Sequence, residues 1–137
     1  MIYQSALSLA VLVSSLATTT YDYTVLNAPT SPEVVVNEVS VIKEVWGDDS
    51  HIGLAIAQSE SGIKQKINGV IVRNPVTPDV GTFQINIDYH LDNAISQGMN
   101  VYTTEGNVLY AKYLFDKNGT RDWSASSKCW KKLLNVS

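Results

Sequence analysis

Apolar side chains recur along this chain with two different periods. From Glu33 to Trp46 the positions Val35, Val39, Ile42 and Trp46 fall close to one helical face, which predicts a helix stopped by Gly47. Ser31 is placed to cap it and Pro32 to occupy its first turn. Asp48-Asp49-Ser50 offers the N-cap of a second helix, with Ile52, Ala55, Ile56 and Ser59 on one face and Gly62 at its end. That segment is apolar nearly all round, so its helix is expected at the centre of the fold. From Lys64 to Asn86 the pattern shortens: Val70-Ile71-Val72 and Thr82-Phe83-Gln84-Ile85 read as strands, separated by the turn-rich Asn74 to Asp79. The helical period then returns three times. It covers Asp88–Gln97 before Gly98, Thr104–Lys117 with Val108, Ala111 and Phe115 inward and Gly119 behind it, and Trp123–Leu134. The predicted fold class is α+β, mainly helical, with a small β-hairpin lobe in the middle of the chain.

Two stretches precede this pattern. Ala6 to Ala17 reads ALSLAVLVSSLA, too short to span a bilayer but fitting the apolar part of a secretory signal, with Ser15-Leu16-Ala17 as a small-x-small cleavage site. No Lys or Arg precedes it; the first basic side chain is Lys43. A helix packed on the domain, or an uncleaved anchor lengthened by Ile2 and Tyr3, is the competing reading. TTTYDYTVLNAPTSP follows, with two prolines and no helical period, which is linker chemistry. The expected organisation is 1–22 signal peptide or N-terminal anchor, 23–32 linker and 33–137 a single domain. The expected location is the cell envelope or the extracellular space, with a membrane tether if the first segment is retained.

Composition narrows the function classes. The 137 residues suffice for one domain with a hydrophobic core. Net charge is −3 and no basic cluster exceeds Lys131-Lys132, so the footprint of a nucleic-acid binder is absent. The single cysteine, Cys129, excludes an intramolecular disulfide and a cysteine-based metal site, and reads as a small buried residue. His51 and His90 lie far apart without ligand spacing and read as surface or cap residues. No metal site is legible.

One carboxylate stands out. AQSESGI, Ala57 to Ile63, puts Glu60 at the end of the apolar helix, where desolvation and the helix dipole both disfavour its charged form. It is either a solvent-facing residue at a helix end, as most glutamates are, or an acid kept protonated for a purpose. Asp79 stands before Val80-Gly81, where turn chemistry is its ordinary reading. Gln84 and Asn86 alternate with Phe83 and Ile85, which places the amides on one strand face and the apolar pair on the other. Those amides either satisfy hairpin backbone or bind a ligand. Gly81 is expected where a side chain would block the cleft or the turn. Trp123 and Trp130, seven apart, share a helical face and read first as core.

In this order and spacing, "SESG", "DVGTFQIN", "EGNVLYAKYLF" and "GTRDWSASSKCW" resemble the lysozyme-like superfamily that includes lytic transglycosylases and chicken-type lysozymes. The likeness covers about residues 38 to 130. It implies a lysozyme-like fold with the hairpin lobe beside a catalytic cleft. It also implies cleavage of the β-1,4 bond between N-acetylmuramic acid and N-acetylglucosamine in peptidoglycan. In that superfamily the glutamate ending a helix is the general acid, which is Glu60 here. The second carboxylate of chicken-type lysozymes, in D-x-G-x-x-Q-I-N, falls on Asp79; at the roughly 5–5.5 Å separation of retaining glycosidases it would stabilise or trap the oxocarbenium-like state. Lytic transglycosylases generally lack it. They use one glutamate as acid and then base, while the muramic acid's own 6-hydroxyl attacks and leaves a 1,6-anhydro end.

The resemblance implies further residues. Ser61 matches the family's Glu-Ser pair and is expected to hydrogen-bond the carboxylate or the substrate; Gly81, Gln84, Asn86 and Tyr110 complete the expected substrate-binding set. The chain also departs from the pattern. Asn107 matches the asparagine opening the family's N-x-x-x-G helix, yet Ala111 stands at the glycine position and Leu114 at the tyrosine position. Tyr110 and Tyr113 are nearby, on different faces at about 100° per residue. The implied partner is the peptidoglycan glycan strand, met by a monomer. No metal or organic cofactor is implied, since protonation and charge stabilisation suffice for this bond. Transglycosylation is favoured over muramidase hydrolysis, because the Glu-Ser pair and the lack of disulfides resemble that branch. The competing readings are a non-catalytic glycan-binding module and a structural component of an envelope-spanning secretion or phage-entry machine.

Overall fold

The computed structural model describes residues 37–135; the expected signal, linker and the Ser31-Pro32 cap lie outside the described residues. Helix α1, Glu38–Trp46, starts at Asn37, whose side-chain oxygen accepts the Val39 and Ser40 N–H groups at 3.0 and 3.4 Å. It buries Ile42 and Trp46. A short 3-10 turn, Gly47–Asp49, leads into α2, Ser50–Ser61. Asp49 stands at the N-cap position that the spacing suggested, but its side chain makes no capping bond. Helix α2 buries Gly53, Ala55, Ile56 and Ala57 and is central as expected. Its Gly53 lets α1 approach, since a Cβ there would lie 2.7 Å from Trp46 Cδ2.

Two small antiparallel hairpins follow. Strands β1, Lys66–Ile67, and β2, Val70–Ile71, meet around Asn68-Gly69, both at positive φ (+51° and +78°), the geometry of a type I′ turn. Strands β3, Asp79–Val80, and β4, Ile85–Asn86, pair Asp79 with Asn86 and Val80 with Ile85. Thr82, Phe83 and Gln84 form the turn between β3 and β4, correcting the expected strand over Thr82–Ile85. Their burial nevertheless alternates as the sequence suggested: Phe83 and Ile85 are buried, while Gln84 and Asn86 are half-buried.

Helix α3, Ile87–Ser96, is capped by Asn86, and α4, Thr104–Asn118, by the Thr103 hydroxyl. The expected helix from Trp123 to Leu134 is broken. Arg121–Ser126 is a 3-10 segment with non-helical angles at Trp123 (φ −110°, ψ 27°), and α5 spans only Ser127–Leu134. The break lets the Trp123 indole turn into the core and donate from Nε1 to Phe83 O at 3.0 Å. Trp130 is buried and donates to Trp123 O at 2.9 Å. Cys129, expected to be buried, is exposed, because α5 turns only Trp130 fully inward.

The aromatic core ties the elements together. Trp46 stacks on Phe83 with centroids 5.1 Å apart and planes within 4°, and Phe115 and Trp123 pack against the same pair. The architecture is α+β and mainly helical, and its centre lies directly beneath the β3–β4 turn.

Candidate active site

Two buried amides build the β3–β4 turn. Gln65, 1% exposed, accepts the Thr82 N–H at 2.9 Å and the Thr82 hydroxyl at 3.0 Å, and donates to Val101 O at 3.1 Å. Asn107, fully buried on α4, accepts the Phe83 N–H at 2.9 Å and donates to Val80 O at 3.0 Å and Val101 O at 2.9 Å. These side chains replace the strand partners that the turn's backbone lacks, as buried polar groups require. They also explain Gly81. At φ +75°, a Cβ there would lie 2.4 Å from Gln65 Oε1 and 2.5 Å from Asn107 Nδ2. Gly81 thus serves the turn and does not line the cavity beside it.

Glu60 lies in the last turn of α2, just before Gly62, which caps the helix in the left-handed conformation (φ +67°). Its carboxyl is half-buried and held above the ordinary value of 4.5. Desolvation is the main cause; the nearby negative charge of Asp79 adds to it, and a hydrogen bond from Ser126 opposes it. The Ser126 hydroxyl reaches Glu60 Oε1 at 2.5 Å from the 3-10 segment, 66 residues further along the chain. The arrangement keeps one carboxylic acid protonated to higher pH than usual, with one of its oxygens fixed by a hydroxyl.

A cavity of about 300 Å³ opens beside it. Glu60 and Asp79 share its wall with Gln84, Ile85 and Asn86 from the turn and β4, Tyr89 and His90 from α3, Leu114 from α4, and Asp122, Trp123 and Ala125 from the 3-10 segment. Asp79 is fixed by the Thr77 hydroxyl, which donates to its Oδ2 at 2.5 Å. Gln84 takes the left-handed conformation (φ +49°) and donates one amide N–H to Gly81 O at 2.8 Å. Asn86 accepts the Asp88 N–H at 3.2 Å as the α3 cap and also lines the cavity.

Four of the seven site residues expected from the sequence therefore meet in one cavity: Glu60, Asp79, Gln84 and Asn86. Three do not. Ser61 donates to Thr82 O at 2.7 Å and accepts the Lys64 N–H at 3.0 Å, so it fastens α2 to the hairpin turn and makes no bond to Glu60. Gly81 is consumed by the turn. Tyr110 is fully buried and absent from the cavity wall; its ring stacks on Tyr113 at 5.6 Å, so the two share a helix side and not the different faces expected, because three residues at about 100° each nearly complete a turn. Leu114, one turn further along α4, takes that place.

Sequence reasoning missed Ser126, His90, Tyr89 and Asp122. For His90, expected as a surface or cap residue, a signal existed: it lies four residues after Asn86, one helical turn above a residue already placed in the site. Ser126 had none, since only the tertiary fold brings it to Glu60. Among the described residues no cluster of three metal-ligating side chains forms. Compared with family models, curated protein sequences and solved structures, the chain matches none.

Proposed function

We propose that this protein is a lysozyme-like, peptidoglycan-cleaving enzyme, with Glu60 as the general acid for the β-1,4 bond between N-acetylmuramic acid and N-acetylglucosamine. The observation that carries this reading is the Glu60 carboxyl itself. It is half-buried, raised in pKa, bonded by Ser126, and shares with a second carboxylate a cavity also lined by amides and aromatic side chains. A glycosidic oxygen leaves only when protonated, so the reaction needs an acid that keeps its proton toward neutral pH. In this reading Glu60 protonates the bridging oxygen, and the bond to C1 of the muramic acid breaks with an oxocarbenium-like transition state. The Glu60 carboxylate then takes the proton from the sugar's own 6-hydroxyl as that oxygen closes on C1. The product is a 1,6-anhydro end, and Glu60 is reprotonated.

Asp79 supports a second reading. Its carboxylate lines the same cavity and its charge adds to the raised Glu60 pKa, and hydrolysis through a second carboxylate would draw on this residue. Ser61, turned to the hairpin, lends no weight to either outcome. Export or tethering through the N-terminal segment would bring the enzyme to its substrate. Mass spectrometry of soluble muropeptides released from purified peptidoglycan tests the proposal. Products one water lighter, with 1,6-anhydro ends, are expected from the transglycosylase, and reducing ends would install Asp79 as the second carboxylate. Binding to peptidoglycan without any soluble product would replace both readings with a glycan-binding module.

A further inference from the structure

His90 lies in the first turns of α3, half-buried, and lines the cavity that holds Glu60 and Asp79. Its Nδ1 is 3.1 Å from the Tyr110 hydroxyl, and the rings meet edge-on with centroids 5.6 Å apart. Tyr110 is fully buried on α4, and its hydroxyl has no other hydrogen-bond partner among the described residues. A phenol carries one proton, and burying that O–H without an acceptor is costly. Burial, followed by the neighbouring Tyr113 and Asp122, pushes the Tyr110 pKa further above its ordinary value of 10.0, so the phenol keeps its proton. The acceptor in reach is His90 Nδ1. With that lone pair engaged, the proton of a neutral imidazole sits on Nε2. His90 lines the cavity and Tyr110 does not, and Nε2 lies on the ring edge away from Tyr110.

We infer that Tyr110 locks His90 in the Nε2–H tautomer and so makes it a neutral hydrogen-bond donor for a hydroxyl or amide carbonyl oxygen of an N-acetylated sugar. The ligand clause rests on the glycan-cleaving reading; the tautomer lock does not. A protonated Nε2 has no lone pair to offer, so His90 is not the base of the reaction, and acid–base work stays with Glu60. The donor answers a need of the site. Among the described residues, Glu60, Asp79 and Asp122 are the cavity's acidic side chains, and no Lys or Arg lines it. The Asp79 and Asp122 carboxyl oxygens offer acceptors to sugar hydroxyls, and His90 joins Gln84 and Asn86 in supplying N–H groups for sugar oxygens.

The test is nitrogen-15 NMR of the imidazoles in the full-length protein at pH 8, where ordinary histidines are neutral. His51 is the other histidine, and His90→Gln identifies the signals. A protonated Nε2 with a bare Nδ1 at His90 is expected, and Tyr110→Phe should restore a mixture of tautomers. A proton on Nδ1, or a tautomer unchanged in Tyr110→Phe, overturns the lock. Titration with the N-acetylglucosamine–N-acetylmuramic acid tetrasaccharide should then shift the His90 Nε2 signal. If the Gln84 and Asn86 amides respond while Nε2 does not, the donor role is overturned and the glycan reading stands. If no cavity signal responds, the glycan reading fails, and the ligand clause with it.

Discussion

Replacing Asn107 with leucine removes a side chain that joins α4, the loop before it and the β3–β4 turn in one set of bonds. Leucine fits the volume but carries neither acceptor nor donors. The Phe83 N–H loses the Asn107 oxygen at 2.9 Å, and Val80 O loses its bond at 3.0 Å. Val101 O keeps its bond from Gln65 at 3.1 Å, so the damage centres on the turn. A buried backbone group left unpaired costs about 1–3 kcal/mol, and added apolar burial offsets part of this, giving a net loss of about 2–4 kcal/mol. For a domain near 100 residues each kcal/mol lowers Tm by roughly 4–8 °C, so a fall of about 8–32 °C is expected. Urea unfolding followed by tryptophan fluorescence reads this directly, because Trp46 and Trp123 pack against Phe83. The midpoint should fall with little change in slope. A loss under about 1 kcal/mol would refute the argument, since it would mean that the turn's backbone finds other partners.

Three further outcomes follow from the same contacts. Gly81→Ala should destabilise by about 2–4 kcal/mol in thermal melts, because it forces a Cβ at positive φ against both buried amides. Glu60→Gln should stabilise the protein increasingly as pH rises from 4.5: the folded carboxyl has the raised pKa, so the wild type binds more protons folded than unfolded above 4.5 and loses stability with pH until the folded pKa is passed. The Tm difference between variant and wild type, measured from pH 4 to 8, should grow and then level, and a constant difference would contradict the raised pKa. Ser126→Ala removes a bond that holds the Glu60 pKa down, so the basic limb of the kcat/KM profile should move to higher pH; a shift to lower pH would contradict the assigned role of that hydroxyl.

The helices were legible in the sequence because their apolar faces carry the period: Ile42 and Trp46, Ala55 and Ile56, Val108 and Ala111 are buried as the spacing requires. The hairpins were less so. Asn68-Gly69 is a strong turn signal, but Lys66 and Ile67 before it are exposed and show no alternation, so β1 carried no pattern to pair with it. Thr82, Phe83 and Gln84 have strand-like side chains, yet their backbone is fixed by Gln65 and Asn107, residues 17 and 24 positions away from their nearest bonded partners in the turn. Tertiary bonds outweighed local propensity there. The final helix broke at Trp123 because an indole N–H had a carbonyl to reach at Phe83. In the site, Glu60, Asp79, Gln84 and Asn86 came from two short segments whose spacing is local. Ser126 and the His90–Tyr110 pair depend on α3, α4 and the 3-10 segment meeting, which no single stretch encodes.

The most direct measurement of the central claim is release of soluble fragments from purified peptidoglycan by the wild-type protein and by Glu60→Gln, compared at equal concentration with circular dichroism confirming that both are folded. The account predicts release by the wild type and a loss of roughly 10²–10⁴-fold in the variant, the usual contribution of a general acid. Equal release by the two proteins would contradict it.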